Sequence, residues 1–419
     1  MVTFSRSTRL ACAAITLLVI TSLMVAGALA QTNQPPAVPR FDSGKIATAT
    51  EVEFFGHIIY IPMMVNGTGP YSFVLDTGAG RFSAIDYSVA EALGLEQTLL
   101  MKGGGAGEDI VEINNVDSVS FASIGISFDP RSAISIPLHR MDPHWGKRKD
   151  GLIGGDLLSA LITVVDYEAG TLVFHDPATY EYNGPGERVP IELFNNYIFI
   201  RAEVLLHGPG DPIEAFFMVD TGVRLSLFNS PYSREHSLPA QSPSTITGVT
   251  GFGLGGLSQG VIGRVHGIRI GSTLIENPVV NFSTDTTGGL AATDFSGIIG
   301  ADILSRFTLI LDYSRSEIIL EKNDRFAAPF ENDMCGIRFV MDGERFDIFR
   351  AFSIFDGSPA AEAGILEGDV LTAVDGREAS SFTIETLMEY LSREGAVVRL
   401  TIKRGSETKE FAITLRRMV

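Results

Sequence analysis

Two carboxyl groups in matching surroundings stand out in this sequence. Residues 73–85 run Phe-Val-Leu-Asp-Thr-Gly-Ala-Gly-Arg-Phe-Ser-Ala-Ile around Asp76, and residues 217–228 run Phe-Met-Val-Asp-Thr-Gly-Val-Arg-Leu-Ser-Leu-Phe around Asp220. Each Asp follows an apolar run typical of a buried strand, where an unpaired carboxylate costs free energy. One such group per copy predicts a shared site in which the two side chains meet across a pseudo-twofold axis. Carboxyl groups held that close share one proton, which suits general acid–base chemistry.

A second pair of motifs indicates that the repeat is long. Gly-Leu-Ile-Gly-Gly-Asp-Leu-Leu-Ser begins at Gly151, and Gly-Ile-Ile-Gly-Ala-Asp-Ile-Leu-Ser begins at Gly297. These copies are offset by 146 residues, and the two Asp-Thr-Gly triplets are offset by 144. A nearly constant offset across separate motifs indicates a duplicated domain. Each copy then continues into a predicted hairpin, over 164–174 and 309–320, with an Asp in a position suited to the turn.

In this duplicated order, the four motifs resemble those of the pepsin/retropepsin clan of aspartyl proteases. The resemblance covers roughly residues 51–325. It implies a mostly β fold with two pseudo-twofold-related retropepsin-like lobes, residues 51–183 and 184–326. It also implies that a water activated between Asp76 and Asp220 attacks a peptide carbonyl, without a metal ion or cofactor.

The resemblance assigns roles to neighbouring residues as well. The two apolar residues and Gly at 152–154 and 298–300 would pack beneath the active-site loops. Because both Asp-Thr-Gly copies lie in one chain, a monomer is expected to be active. The residues implied to support the dyad, by hydrogen bonds across the lobe junction or by close backbone approach, are Thr77, Gly78, Thr221 and Gly222.

Each copy carries a Gly-rich stretch between its paired motifs, at 103–107 and 248–260. The clan has a hairpin flap in this part of each lobe, and glycine suits hinges and close approach to a substrate; an ordinary loop is the alternative. The second stretch also fits a dinucleotide-binding loop at 251–256 and a hydrolase elbow around Ser258. Neither has the strand before it and the helix after it that those sites need. The His residues lack metal-ligand spacing, so a zinc protease is not indicated.

The last ninety residues form a different module. Residues 357–376 resemble the PDZ family in the form common in bacterial envelope proteases, which implies a small α+β PDZ domain over 330–419. Apolar residues spaced i, i+3, i+4, i+7 predict a helix over 383–393. A PDZ groove binds a peptide by adding a strand to a sheet edge, although the domain could instead be a spacer packed on the protease. The residues implied to receive a peptide carboxyl terminus are Gly336, Ile337 and Phe339.

The amino terminus and the composition bear on location and partners. Residues 1–30 combine two Arg, an apolar run and a small-x-small end, which predicts a signal peptide; an uncleaved anchor is the alternative. Residues 31–50 are predicted to be a flexible lead-in. The formal net charge of −18 disfavours nucleic acid as a partner. Without the leader only Cys335 remains, so no intrachain disulfide is expected, which favours a bacterial envelope protein.

Together these features predict an exported, periplasmic or secreted aspartic endopeptidase whose PDZ domain recruits peptide or protein carboxyl termini. Two alternatives remain open at this point. One is a catalytically weak, protease-like scaffold that captures peptides, and the other is an envelope assembly protein that uses both modules for contacts. The substrate and the cleavage preference are not encoded in any recognisable motif.

Overall fold

The computed structural model describes residues 38–49, 52–130, 132–208, 210, 212–331 and 333–419. The predicted signal peptide and the first part of the lead-in lie outside the described residues. Of the residues that the structure describes, 46% lie in strands and 14% in helices, which confirms the mostly β prediction. No helix in the described ranges has the length and apolarity needed to cross a membrane.

Lobe 1 is an eleven-stranded curled sheet in which β12 is inserted between β5 and β6. Its strand β4 is buried along nearly its whole length, as expected for a continuous apolar run covered on both faces. The helices of lobe 1 are short: α1 (Tyr87–Ala92), α2 (Asp142–Trp145) and α3 (Gly155–Leu158). The strands of this half of the chain are β1 (Arg40–Phe41), β2 (Ile46–Ala49), β3 (Glu53–Phe55), β4 (Ile58–Val65), β5 (Thr68–Leu75), β6 (Ala84–Asp86), β7 (Gln97–Gly103), β8 (Val111–Asp117), β9 (Phe121–Ser123), β10 (Ile126–Phe128), β11 (Ser132–Ile136), β12 (Gly151–Ile153), β13 (Ile162–Asp166) and β14 (Thr171–His175).

Lobe 2 repeats this arrangement in a ten-stranded sheet, with β25 inserted between β18 and β19. In both lobes the inserted strand runs parallel to the strand that leads into Asp-Thr-Gly. The helices are α4 (Ser230–Glu235), α5 (Leu238–Gln241) and α6 (Ala301–Leu304). The strands are β15 (Glu187–Pro190), β16 (Glu192–Phe194), β17 (Tyr197–Leu205), β18 (Pro212–Val219), β19 (Leu227–Phe228), β20 (Ile246–Gly253), β21 (Gly256–Arg264), β22 (Gly267–Ile270), β23 (Thr273–Glu276), β24 (Val279–Ser283), β25 (Gly297–Ile299), β26 (Phe307–Asp312) and β27 (Glu317–Lys322).

A six-stranded sheet joins the two lobes, in the order β15-β27-β26-β13-β14-β2. The predicted hairpins β13–β14 and β26–β27 are both present, and β13 and β26 pair antiparallel at the centre, with Val164 opposite Ile310. The turn residues Asp166 and Asp312 accept backbone N–H groups, as predicted. The lead-in prediction was wrong for its second half, because residues 46–49 form β2 at the edge of this sheet. Strand β14 has backbone N–H and C=O groups on its outer edge, and residues 46–49 pair with them. The composition of residues 46–49 gives no sign of this pairing.

The PDZ domain is a sheet in the order β28-β29-β30-β32-β33 with two helices. The predicted helix over 383–393 is shorter in the structure, at seven residues, and begins with a Thr383 capping box. The elements are β28 (Ile337–Asp342), β29 (Ile348–Ile354), α7 (Pro359–Ala363), β30 (Val370–Val374), β31 (Arg377–Glu378), α8 (Ile384–Tyr390), β32 (Val397–Arg404) and β33 (Glu407–Thr414).

The shared sheet is expected to be central to stability. Leu309, on β26, is fully buried in the apolar core that spans both lobes. Leu309→Ala should cost about 2–5 kcal/mol, because the cavity adds to the lost transfer free energy. Thermal unfolding should show a lower midpoint for this variant, while Val397→Ala, at a position 66% exposed, should leave the midpoint near that of the parent. Equal midpoints for both variants would contradict a central role for this sheet.

Candidate active site

The two Asp residues of the duplicated motif stand at the ends of equivalent strands, β5 and β18. The N–H of Asp76 donates to the Ile153 carbonyl, and the N–H of Asp220 donates to the Ile299 carbonyl, both at 3.0 Å. The inserted strands β12 and β25 therefore lie directly beneath the loops that carry the carboxyl groups. Because three strands fix each loop, the carboxyl groups have little freedom to move apart.

A reciprocal set of hydrogen bonds fastens one loop to the other. The Thr77 hydroxyl donates to the Val219 carbonyl at 2.7 Å and accepts from the Thr221 N–H at 3.1 Å. The Thr221 hydroxyl donates to the Leu75 carbonyl at 2.7 Å and accepts from the Thr77 N–H at 3.2 Å. Both Thr side chains are fully buried. Four buried bonds related by the pseudo-twofold axis thus set the spacing between the lobes at the dyad.

The glycines after each Thr allow the carboxyl groups to approach the opposite loop. A Cβ at Gly78 would lie 2.2 Å from Oδ2 of Asp220, and a Cβ at Gly222 would lie 2.5 Å from Cγ of Asp76. No real side chain fits at such distances. Gly222 also donates its N–H to Oδ1 of Asp220 at 2.7 Å. Any larger residue at either glycine would force the dyad apart.

Asp220 is buried, whereas Asp76 is half-buried. Each carboxyl group lies against the glycine of the opposite loop, so the two face each other across the lobe junction. Burial raises the pKa of Asp220 well above its ordinary value, and the adjacent Asp76 raises it further. Burial also raises the pKa of Asp76, but Lys149 and the bond from Asp220 oppose that increase. The pair therefore favours one shared proton, held mainly on Asp220. Oδ1 of Asp76 is buried and accepts no hydrogen bond from the described residues.

Each lobe also has a serine clamp that the sequence analysis did not identify. Ser83 donates its N–H and hydroxyl to Asp156, and Ser226 donates the same two groups to Asp302, at 2.6–3.0 Å. The hydroxyl of Ser83 accepts a hydrogen bond from the N–H of Gly154 at 3.2 Å, and that of Ser226 accepts one from the N–H of Gly300 at 3.0 Å. Burial raises the pKa of Asp302 to about 6. Ser83 and Ser226 occupy equivalent positions of the repeat, and so do Asp156 and Asp302. Comparing the two copies in the sequence could therefore have revealed these clamps.

Lys149 is a third charged group near the dyad, and no motif indicated it. It is 3% exposed, its N–H donates to Oδ1 of Asp142 at 3.1 Å, and its Nζ lies 2.9 Å from the centroid of the Trp145 ring. Burial lowers the pKa of Lys149 far below its ordinary value and Arg224 lowers it further, whereas the dyad and Asp142 oppose this. Lobe 2 has Phe at the corresponding position, two residues before its Gly-Ile-Ile-Gly motif, so comparison of the repeats gives no signal for Lys149.

The Gly-rich stretches form hairpins, β7–β8 and β20–β21, whose tips are joined. Gly255 donates its N–H to Ala106 at 2.8 Å and accepts the N–H of Asp109 at 2.7 Å. The buried carboxylate of Asp285 accepts a hydrogen bond from the Ser258 hydroxyl at 2.8 Å. It accepts a second from the N–H of Gly107, at the tip of the β7–β8 hairpin, at 3.4 Å. Ser258 therefore lies in a flap strand and not at a strand-to-helix elbow. The predicted flaps are present as hairpins and lie in contact with one another.

The residues predicted to receive a peptide terminus lie at the start of β28. Ile337 and Phe339 are 1% and 7% exposed and belong to the apolar core of the PDZ domain. The N–H of Gly336 and that of Cys335 both donate to the Asp333 carboxyl group, at 2.8 Å each. An internal carboxylate thus already accepts two of the N–H groups of this loop. Among the described residues, no cluster of His, Cys, Asp and Glu has a metal-site arrangement.

Two family models match separate parts of the chain. Residues 61–157 match an aspartyl protease family, and residues 354–404 match the PDZ domain family. The first range contains Asp76 and the Gly-Leu-Ile-Gly motif of lobe 1. The second covers the PDZ sheet from the end of β29 through β32.

Known proteins match shorter parts. A probable CtpA-like serine protease of Staphylococcus haemolyticus (strain JCSC1435) is 44% identical over 94 residues, which are 22% of this chain and 19% of the relative. A protein of the same name from Staphylococcus aureus (strain COL) is 33% identical over 94 residues, with the same shares. This chain thus covers about a fifth of the length of these relatives.

Two solved structures resemble parts of the fold at low identity. A photosystem II D1 C-terminal processing protease matches at 19% identity and a TM-score of 0.20, covering 21% of this chain and 24% of that one. An aspartic proteinase from Irpex lacteus matches at 13% identity and a TM-score of 0.39, covering 70% of this chain and 99% of that one. The family matches and the paired lobes thus identify a chain with an aspartyl protease-type domain and a carboxyl-terminal PDZ domain.

Proposed function

We propose that this protein is an aspartic endopeptidase that hydrolyses peptide bonds with a water activated between Asp76 and Asp220. One observation carries the proposal: two carboxyl groups, one from each lobe, lie against the glycines of the opposite loops, and four Thr bonds hold those loops together. Burying such a pair costs free energy that only a shared proton relieves. Because both loops belong to one chain, a monomer is sufficient for activity.

The protonation states assign a role to each carboxyl group. Asp76, whose ionised form Lys149 favours, takes a proton from water as the water oxygen bonds to the peptide carbonyl carbon. Asp220 gives its proton to the carbonyl oxygen, which yields a tetrahedral diol. Collapse of the diol breaks the C–N bond, the leaving nitrogen takes the proton from Asp76, and a diol hydroxyl returns one to Asp220. General acid–base catalysis of this kind contributes about 10²–10⁴-fold, and rigid positioning contributes further.

A serine mechanism is the alternative raised by the names of the bacterial relatives. Ser88 Oγ lies 3.0 Å from Nδ1 of His139, and Nε2 of that ring lies 3.1 Å from Asp150, which superficially resembles a triad. However, the Ser88 hydroxyl donates to Oδ1 of Asp86 at 2.7 Å, and the same oxygen is 3.1 Å from Nδ1 of His139. Both ring nitrogens of His139 thus lie 3.1 Å from carboxylate oxygens, of Asp86 and of Asp150. The contacts fit a structural clamp better than a nucleophile and its base.

The PDZ domain is proposed to recruit peptide or protein carboxyl termini to the protease. Its contribution is binding, so the chemistry remains with the dyad. The predicted leader supports the further proposal that the protein is exported to the periplasm or secreted. A protease-like scaffold is less well supported, because both carboxyl groups and all four Thr bonds of the dyad loops are intact.

Single substitutions separate the two mechanisms. Asp76→Asn and Asp220→Asn should each reduce kcat for an unstructured protein substrate by at least about 10²-fold, since each removes one proton-transfer group. Ser88→Ala is the control and should retain activity. The measurement is release of new amino termini by purified monomer, with circular dichroism to verify folding. Loss of activity in Ser88→Ala together with retention in either Asp variant would contradict the proposal.

The acidic limb of the pH–rate profile should report the ionised member of the dyad. Lys149 lowers the pKa of Asp76, so Lys149→Met should raise that pKa and move the acidic limb of kcat/KM to higher pH. Lys45→Met removes an exposed charge paired with Asp176 and should leave the limb in place. A shift of the limb to lower pH in Lys149→Met would overturn the role assigned to this ammonium.

The dyad is also expected to destabilise the fold as pH rises. The folded-state pKa of Asp220 is raised above its unfolded value, so the native state holds a proton that the unfolded chain has released above about pH 4. The stability contributed by that proton is present at low pH and lost as pH rises through the folded pKa. Asp220→Asn, which does not titrate, should therefore gain thermal stability over the parent at pH 8 and little at pH 4. Exposed Asp356→Asn is the control, and a gain for Asp220→Asn that is equal at both pH values would contradict this linkage.

A further inference from the structure

The peptide groove of the PDZ domain is defined by an edge strand and a helix. Strand β28 lies at the end of the sheet order, paired on one side with β29. Helix α8 begins at Ile384, and side chains of both elements belong to the apolar cluster of the domain. A peptide that adds a strand to such an edge would run between β28 and α8, with its apolar side chains toward the cluster.

A segment of lobe 1, residues 142–147, occupies this position. Helix α2 packs along β28, and Gly146 follows it in the left-handed conformation, with φ of 72°. A Cβ at Gly146 would lie 2.9 Å from Cε of Met341, on β28, and 3.0 Å from Cγ2 of Ile384, on α8. The backbone of Gly146 therefore sits between the two walls of the groove, where its left-handed conformation and the close approach of Ile384 favour glycine. Trp145 packs against the same apolar cluster.

Charges on both sides hold this segment in place. Glu385, on α8, is attracted to Arg224 of lobe 2 and to Lys147. Arg224 donates to the Trp145 carbonyl at 3.2 Å, and its guanidinium carbon lies 5.2 Å from the centroid of the Trp145 ring. Lys147 pairs with Glu53 of lobe 1 at 2.6 Å. The segment is thus bound by residues from all three domains.

The same segment touches the catalytic region. Lys149, two residues after Lys147, places its ammonium over the Trp145 ring and acts on the charges of the dyad. The indole Nε1 of Trp145 donates to the Phe252 carbonyl at the tip of the lobe 2 flap, at 3.2 Å. His144 stacks on the Phe252 ring with 4.0 Å between centroids. Movement of residues 142–147 would therefore disturb both the dyad and a flap.

We propose that residues 142–147 close the PDZ groove of this protein, and that a peptide with a free, apolar carboxyl-terminal residue enters by displacing them. The apolar lining supplied by Met341, Ile384 and the buried start of β28 selects the apolar terminus. The occupancy of the groove does not depend on the chemistry of the dyad. The consequence, that such a peptide alters catalysis through Trp145 and Lys149, rests on the proposed function.

A reversible staple tests the proposal. The Cβ position at Gly146 lies 3.5 Å from Cβ of Ile384, within the range that a disulfide spans. Gly146→Cys with Ile384→Cys should therefore link the segment to α8 when oxidised and release it when reduced. Comparing the two redox forms of one protein cancels any strain from a side chain at position 146. All forms also carry Asp76→Asn, so that the added peptide is not cleaved.

Trp145 is the single tryptophan of the chain, so intrinsic fluorescence reports the segment directly. The probe is a decapeptide ending in leucine with a free carboxylate, and its amidated form is the control. In the reduced protein the free-acid peptide should produce a saturable red shift of Trp145 emission and greater quenching by acrylamide. The oxidised protein should show neither change. Glu385→Lys, which repels Arg224 and Lys147, should bind the peptide more tightly than the parent does.

Each result decides the matter. A response confined to Glu385→Lys and absent from the parent supports an occupied groove that must first be loosened. Saturable responses of equal size in the oxidised and reduced staple would overturn the proposal, and so would the lack of a response in every form, Glu385→Lys included. Because this readout uses no proteolysis, a Trp145 response in these forms, combined with failure of the chain that retains Asp76 to cleave any substrate, would reject the proposed function and leave the occupied groove standing.

Discussion

The juxtaposition of two carboxyl groups at the lobe junction is the constraint on which the rest of this structure depends. Bringing two carboxylates together, one of them buried, is unfavourable unless a single proton is shared. The protein must therefore hold the two loops together against that cost. It does so with the buried bonds of Thr77 and Thr221 to the carbonyls of the opposite lobe, and with the inserted strands beneath each loop.

The wider architecture follows from the same need. Each active-site loop is supported by a serine clamp, and the two lobes are joined at their base by a sheet that takes its central strands from both. A sheet shared in this way resists separation of the lobes because opening it would break the ladder between β13 and β26. The site is therefore rigid where the carboxyl groups meet, whereas the flap hairpins are joined at their tips by hydrogen bonds of Gly255 with Ala106 and Asp109.

The PDZ domain is joined to the protease by more than a linker. Its apolar cluster includes Phe55, Ile58 and Tyr60 of lobe 1, and its helix α8 contributes a charge that attracts Arg224 of lobe 2. The segment around Trp145 lies at the meeting point of all three domains. This segment contacts α8 through Gly146 and carries Trp145, whose ring lies against Lys149 beside the dyad.

The sequence by itself determined the repeat, the strand that precedes each Asp, the hairpins after the second motif and the PDZ domain. These features depend on local chemistry, such as turn residues, apolar runs and glycines at sites of close approach. Such signals come from residues adjacent in the sequence, and in the protease part they occur in both lobes. Tertiary structure alone decided that residues 46–49 add a strand to the shared sheet, that Lys149 lies beside the dyad and that Gly146 lies in the PDZ groove. Each of these depends on which surfaces distant segments bury against one another. Lys149 and Gly146 also have no counterpart in lobe 2, so comparing the two copies of the repeat could not reveal them.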